Sequence, residues 1–114
     1  MKPGAQAERL AAQHLQRHGL TLVQANYRCR FGEIDLILRD KETLVFAEVR
    51  LRSRSEFGGA AASIDARKQH KLILAAQHYL STVSPTPPCR FDAVLLSSAE
   101  GSAGVEWLKN AFQL

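Results

Sequence analysis

The strongest constraint on this chain is a pair of adjoining period-two segments, residues 31–39 and 44–51, separated by the polar stretch Asp40-Lys41-Glu42-Thr43. In the first segment Ile34, Leu36 and Leu38 fall on one face, and Glu33, Asp35, Ile37 and Arg39 on the other. In the second, Val45, Ala47, Val49 and Leu51 alternate against Leu44, Phe46, Glu48 and Arg50. Alternation around a short polar break specifies a β-hairpin, here with a four-residue loop at 40–43. That register sets Arg39 opposite Leu44, Ile37 opposite Phe46, Asp35 opposite Glu48 and Glu33 opposite Arg50. Directly opposed residues point to the same side of a sheet, so Asp35 and Glu48 become neighbours. Two ionised carboxylates about 4–5 Å apart repel by about 3–4 kcal/mol at an effective dielectric near 20. A divalent cation turns that repulsion into a binding site, because Mg²⁺ takes oxygen ligands from one or two carboxylates plus substrate phosphate. The plainer alternative is an exposed Asp35 and a Glu48 paired with Arg39 or Arg50. Against it, Phe46, Ala47 and Val49 mark the second strand as central, where an acid needs a reason.

Elsewhere the periodicities alternate between helix and strand. Residues 4–18 read as a helix, with Leu10, Ala11 and Leu15 at helical spacing, Glu8 on or beside the apolar face, and Gly19 as a stop. A strand is expected over 20–28, with Asn26 weakening its end. Residues 52–62, which hold Gly58-Gly59, read as a mobile loop. A long helix is predicted from an N-cap at Ser63 to Leu80 or Ser81, ended by Ser84-Pro85-Thr86-Pro87-Pro88. Strands over 90–96 and 105–112 follow, joined by a polar linker at 97–104. The order α-β-β-β-α-β-β is that of an α/β domain with a mixed central sheet flanked by helices.

With 114 residues, 46% hydrophobic and 23% charged, the chain fits one globular domain spanning 1–114 rather than a disordered or collagen-like polymer. Its longest apolar run, Leu72 to Ala76, is too short to cross a bilayer. The start Met1-Lys2-Pro3-Gly4 meets Glu8 and Arg9 early, without the apolar core of a signal peptide. Cys29 and Cys89 are too few and too far apart for a zinc knuckle. A cytoplasmic, reduced protein is expected, with no membrane partner and no small-molecule cofactor. The net charge of +4 is concentrated: residues 50–71 carry Arg50, Arg52, Arg54, Arg67, Lys68 and Lys71 against Glu56 and Asp65, and the remainder is balanced. Such a stripe suits the phosphates of nucleic acid, although a solvated surface has the same composition. The four histidines, His14, His18, His70 and His78, show no metal-ligand spacing. Asp92 is expected to be structural, anchoring Arg90, and Trp107 and Phe112 to belong to the core.

Gly32-Glu33-Ile34-Asp35-Leu36-Ile37 followed by Val45-Phe46-Ala47-Glu48-Val49-Arg50 resembles the Asp…Glu-x-Lys signature of the restriction-endonuclease-like nucleases. More closely, the chain resembles the YraN-like family of small bacterial proteins. The resemblance runs through Gly4 to Glu8, Gly32 to Ile37, Phe46 to Arg50, Lys68 to Leu72, Arg90 to Asp92 and the terminal Asn110-Ala111-Phe112, nearly the whole chain. A more distant likeness is to archaeal Holliday-junction resolvases. What the resemblance implies is a Mg²⁺- or Mn²⁺-dependent phosphodiesterase. Asp35, Glu48 and the Val49 carbonyl would hold the metal, with Glu8 reaching it directly or through water. It further implies DNA, in branched or structured form, as the partner, and a homodimer, since resolvase-like proteins act as dimers.

The sequence departs from the signature at its last position, where Arg50 replaces the lysine that orients or deprotonates the attacking water. Arginine stays protonated and cannot act as a general base, though it can grip a phosphate oxygen or stabilise developing charge. Three readings follow: a metal-dependent endonuclease, a nucleic-acid-binding module that does not cut, and a protein–protein adaptor whose basic stripe meets an acidic partner. Arg52, Arg54, Arg67, Lys68 and Lys71 are the expected phosphate contacts in the first two.

Overall fold

Five strands and two helices account for residues 4–51, 64–97 and 104–112, the portion described by the computed structural model. Helix α1 (Ala5–Arg17) is followed by β1 (Thr21–Cys29), β2 (Gly32–Asp40) and β3 (Thr43–Leu51). Helix α2 (Ala66–Leu80) then leads to β4 (Cys89–Leu96) and β5 (Val105–Phe112). The strands lie in sequence order in one sheet, antiparallel except for β3 and β4, which run parallel. That one parallel pair requires a crossover, and α2 supplies it. The mixed α/β arrangement expected from the sequence is therefore the one observed. The 52–62 segment, with Arg52, Arg54 and Gly58-Gly59, and the Ser63 cap position lie outside the described residues.

The alternation in β3 divides two cores. Val45, Ala47 and Val49 pack under α1 against Ala7, Ala11 and Leu15. Leu44 and Phe46 pack under α2 against Leu72, Ala75 and Ala76. Glu48 shares the α2 side with Phe46, so an acid lies on the inner face of a covered sheet. The alanines of both helices let backbone and sheet approach closely, leaving the bulk to strand leucines and phenylalanines. Among the described residues, no helix is long and apolar enough to cross a membrane.

Three local expectations change. The hairpin register is as predicted, but Asp40 pairs with Thr43 and leaves a two-residue turn, in which Lys41 takes φ +58°. Two-residue hairpin turns demand positive φ, and here a lysine accepts it. The cap of α2 is Asp65, whose Oδ1 accepts the Lys68 N–H at 2.9 Å, where the sequence reading put Ser63. In β2, Ile34 leaves the face of Leu36 and Leu38 and joins the α2 core. The change of side falls between the pairs Ala25–Leu36 and Tyr27–Ile34. Asn26, the β1 residue between them, sits at φ +56°, which breaks the pleat. Asp35 faces this break across the ladder.

Candidate functional site

The site begins where the sheet forks. Backbone pairing of β2 with β3 ends at Leu36–Ala47. Beyond it β2 stays with β1 as far as Gly32, and β3 stays with β4 as far as Leu51. A gap opens between two strands that are each held from their other side. Buried backbone groups in such a gap need partners, and Asp35 provides one: its Oδ2 accepts the Val49 N–H at 2.9 Å. Asp35 is 2% exposed and Glu48 5%.

The two carboxylates are neighbours across the fork, close enough for Asp35 to raise the pKa of Glu48. The hairpin register thus brings Asp35 and Glu48 together although the ladder stops one pair short of them. From α2, Lys68 places Nζ 3.4 Å from Glu48 Oε2. Lys71 follows one turn on, on the same helix face. Together with Glu33, Gly32 and Leu72 these side chains line a cavity of about 160 Å³. Glu8 arrives from the opposite layer, buried on α1. Carboxylate oxygens of Glu8, Glu33 and Asp35 lie within 4.8 Å of one another, and this is a group of metal-competent side chains among the described residues. Asp35 belongs to both sets and joins them.

Glu33 is the functional candidate that sequence reasoning missed. The hairpin register assigned it to Arg50, whereas it pairs with Arg28, its β1 ladder partner, at 2.8 Å. Its position two residues before Asp35 was the available signal. Arg50 is half-buried on β3, beside Leu95 of β4. It is not among the described residues lining the Asp35–Glu48 cavity, and neither is Arg67, exposed on the first turn of α2. Of the predicted phosphate contacts, Lys68 reaches Glu48, Lys71 lines the same cavity, and Arg52 and Arg54 lie outside the described residues. The histidines stand apart: His18 Nδ1 donates to the His14 carbonyl at 2.8 Å, and His78 bonds the Tyr27 hydroxyl. Asp92 has the structural role expected of it, accepting from Arg90 Nε, Trp107 Nε1 and the Asn110 N–H.

Burial first, then the neighbouring Asp35, pushes Glu48 up to about 8, with Lys68 acting in the opposite direction. At neutral pH the folded protein keeps a proton on this pair that the unfolded chain releases near the ordinary glutamate value. The sign follows: folding stability is greatest below that ordinary value and declines as pH rises through about 8. Glu48→Gln removes the decline. In denaturant unfolding the variant should gain about 1–3 kcal/mol on wild type at pH 9 and little at pH 5. Equal pH dependence in the two proteins would show that Glu48 ionises freely.

The sequence model of the Uncharacterised protein family UPF0102 matches residues 7–96, which run from α1 to the end of β4. The chain belongs to the UPF0102 family. Among its relatives, a UPF0102 protein of Nitrosospira multiformis is 59% identical over 97% of this chain and 92% of its own length. One from Nitrosomonas europaea is 57% identical over 96% of this chain and 92% of its own. One from Cupriavidus pinatubonensis is 57% identical over 97% and 85%. Glu8, Glu33, Asp35, Glu48, Lys68 and Lys71 all fall inside the segment that defines UPF0102, as do Val49 and Arg50.

Proposed function

We propose that this UPF0102 protein is a divalent-cation-dependent phosphodiesterase acting on DNA, with branched or otherwise structured DNA as the preferred form. The observation that carries this reading is a pair of buried carboxylates, Asp35 and Glu48, side by side at a sheet fork beneath two lysines. The donor set suits Mg²⁺ or Mn²⁺, which favour hard oxygen ligands and charge. In an extended strand the N–H and C=O of one residue point to the same edge. The Val49 carbonyl therefore faces the fork with the N–H that Asp35 accepts, and completes a candidate triad of ligands. A bound divalent cation would lower the pKa of a water and offset the charge of a scissile phosphate. Glu8 and Glu33 would orient that water through its hydrogens. Lys68 and Lys71, on the cavity wall, would receive phosphate oxygens. Arg50 stays protonated and contributes charge alone.

The second reading, a module that binds nucleic acid without cutting it, rests on Arg50 in the position of the signature lysine. One experiment separates them. Branched, single-stranded and linear duplex DNA are incubated with Mn²⁺ and wild type, Glu48→Ala or Arg50→Lys. Cleavage that requires Mn²⁺, falls at least about 100-fold in Glu48→Ala and holds or rises in Arg50→Lys is the expected pattern. Salt-dependent DNA binding without cleavage by wild type, with cleavage gained in Arg50→Lys, would favour the binding module. Absence of Mn²⁺ binding in calorimetry would remove the enzyme reading.

A further inference from the structure

Lys68 occupies a position that it could not keep once a metal arrives. Its ammonium, 3.4 Å from Glu48 Oε2, lies against the carboxylate that the preceding reading gives to a divalent cation. Mg²⁺ and Mn²⁺ sit about 2 Å from their oxygen ligands, so an ammonium on the same carboxylate faces strong like-charge repulsion.

The exposures decide which side chain yields. Glu48 is 6% exposed at its side chain and Lys68 41%. Glu48 is held in a central strand, whereas the lysine head is a hydrated charge on a flexible four-carbon stem. The Lys68 backbone is fixed, because its N–H is the one that caps α2 by donating to Asp65. Only the side chain can swing. Lys71 lies one helical turn further along the same wall of the cavity.

We propose that Lys68 is a displaceable counter-cation: a metal entering at Asp35 and Glu48 drives its ammonium to the cavity mouth beside Lys71, where it binds a phosphodiester oxygen. The inference rests on the reading of Asp35 and Glu48 as a cation site. Metal and nucleic acid then bind cooperatively through one side chain, and the coupling is reciprocal. Removal of the ammonium has opposite effects on the two ligands. The metal loses a competitor and the phosphate loses a donor. A lysine that merely holds Glu48 in place would instead weaken metal binding when lost, and a solvated surface lysine would affect neither ligand.

The test compares wild type, Lys68→Met, which keeps the apolar stem, and Lys71→Met. Mn²⁺ affinity is measured by calorimetry. Affinity for a short phosphorothioate DNA strand is measured by fluorescence anisotropy with and without saturating Mn²⁺. Lys68→Met should bind Mn²⁺ about 3- to 30-fold more tightly than wild type. In wild type Mn²⁺ should strengthen strand binding by about tenfold, and most of that gain should vanish in Lys68→Met. Lys71→Met should weaken strand binding with no gain in Mn²⁺ affinity. Unchanged or weaker Mn²⁺ binding by Lys68→Met, with normal Mn²⁺ binding by wild type, would overturn the inference and leave the cation site standing. Tighter Mn²⁺ binding with the strand coupling intact would overturn the transfer to phosphate. No Mn²⁺ binding by any of the three would overturn both this inference and the reading beneath it.

Discussion

Asp92→Ala is expected to lower the unfolding free energy by about 3–5 kcal/mol, the range found when one partner of a buried ion pair is removed. Asp92 is fully buried. Its carboxylate accepts from Arg90 Nε at 3.0 Å, from Trp107 Nε1 at 2.9 Å and from the Asn110 N–H at 2.9 Å. Arg90 also reaches Asp40 at 3.0 Å, so the cluster ties the turn end of β2 to β4 and β5. The Arg90 Nη2 is buried with no hydrogen-bond partner among the described residues, so the guanidinium is already under-satisfied. Loss of Asp92 would leave Arg90 Nε, an indole N–H and a backbone N–H without their acceptor, with Asp40 the remaining acid at the guanidinium. Asp92→Asn, which retains an acceptor oxygen, should cost about half as much. Urea unfolding measures both. A loss below about 1 kcal/mol in Asp92→Ala would show that water replaces the carboxylate easily.

Asp35→Asn should separate function from stability as sharply as Asp92→Ala joins them. The amide oxygen can still accept the Val49 N–H, and the charge facing Glu48 disappears. Unfolding free energy at pH 7 should stay within about 1 kcal/mol of wild type or rise. Mn²⁺ affinity should fall at least about 100-fold, and Mn²⁺-dependent cleavage at least about 1,000-fold, because a neutral amide is a poor ligand for a hard cation. Calorimetry and a cleavage assay on the same preparation provide both numbers. A variant that still cuts at more than about a tenth of the wild-type rate would place the chemistry elsewhere.

The two aspartates are a matched contrast. Each accepts a backbone N–H from an adjoining strand, and each faces an irregular stretch in which an asparagine has positive φ, Asn26 for Asp35 and Asn110 for Asp92. They differ in what surrounds the charge. A guanidinium lies against Asp92, whereas a second carboxylate lies against Asp35. The first arrangement has its charge balanced as folded, and the second is the one that the proposed cation would balance.

The central hairpin was legible because period-two alternation and a short polar break leave few registers, and a slip of one residue would send every side chain of a strand to the opposite face. The resulting neighbours, Asp35 and Glu48, could be named before any coordinates. Other features depend on tertiary context. The fork between β2 and β3 is set by what each strand pairs with on its far side, and no local pattern encodes that. Ile34 changed faces because Asn26, on another strand, adopts positive φ. Ser63 and Asp65 are both competent caps, and local preference does not rank them. Lys68 and Lys71 were recognisable as a basic helix face, but the pairing of Lys68 with Glu48 needed the helix docked on the sheet. Glu33 was assigned the wrong arginine because Arg28, across the β1–β2 turn, competes with Arg50.

The forked sheet has one more consequence. Asp35 rides with the β1–β2 ribbon and Glu48 with the β3–β4 pair, so the two ligands of the proposed cation site belong to separate jaws of the fork. Anything that draws those oxygens onto a shared centre pulls the jaws together along the seam. Occupancy at a spot a few ångströms wide would thereby be converted into stiffness of the whole slab.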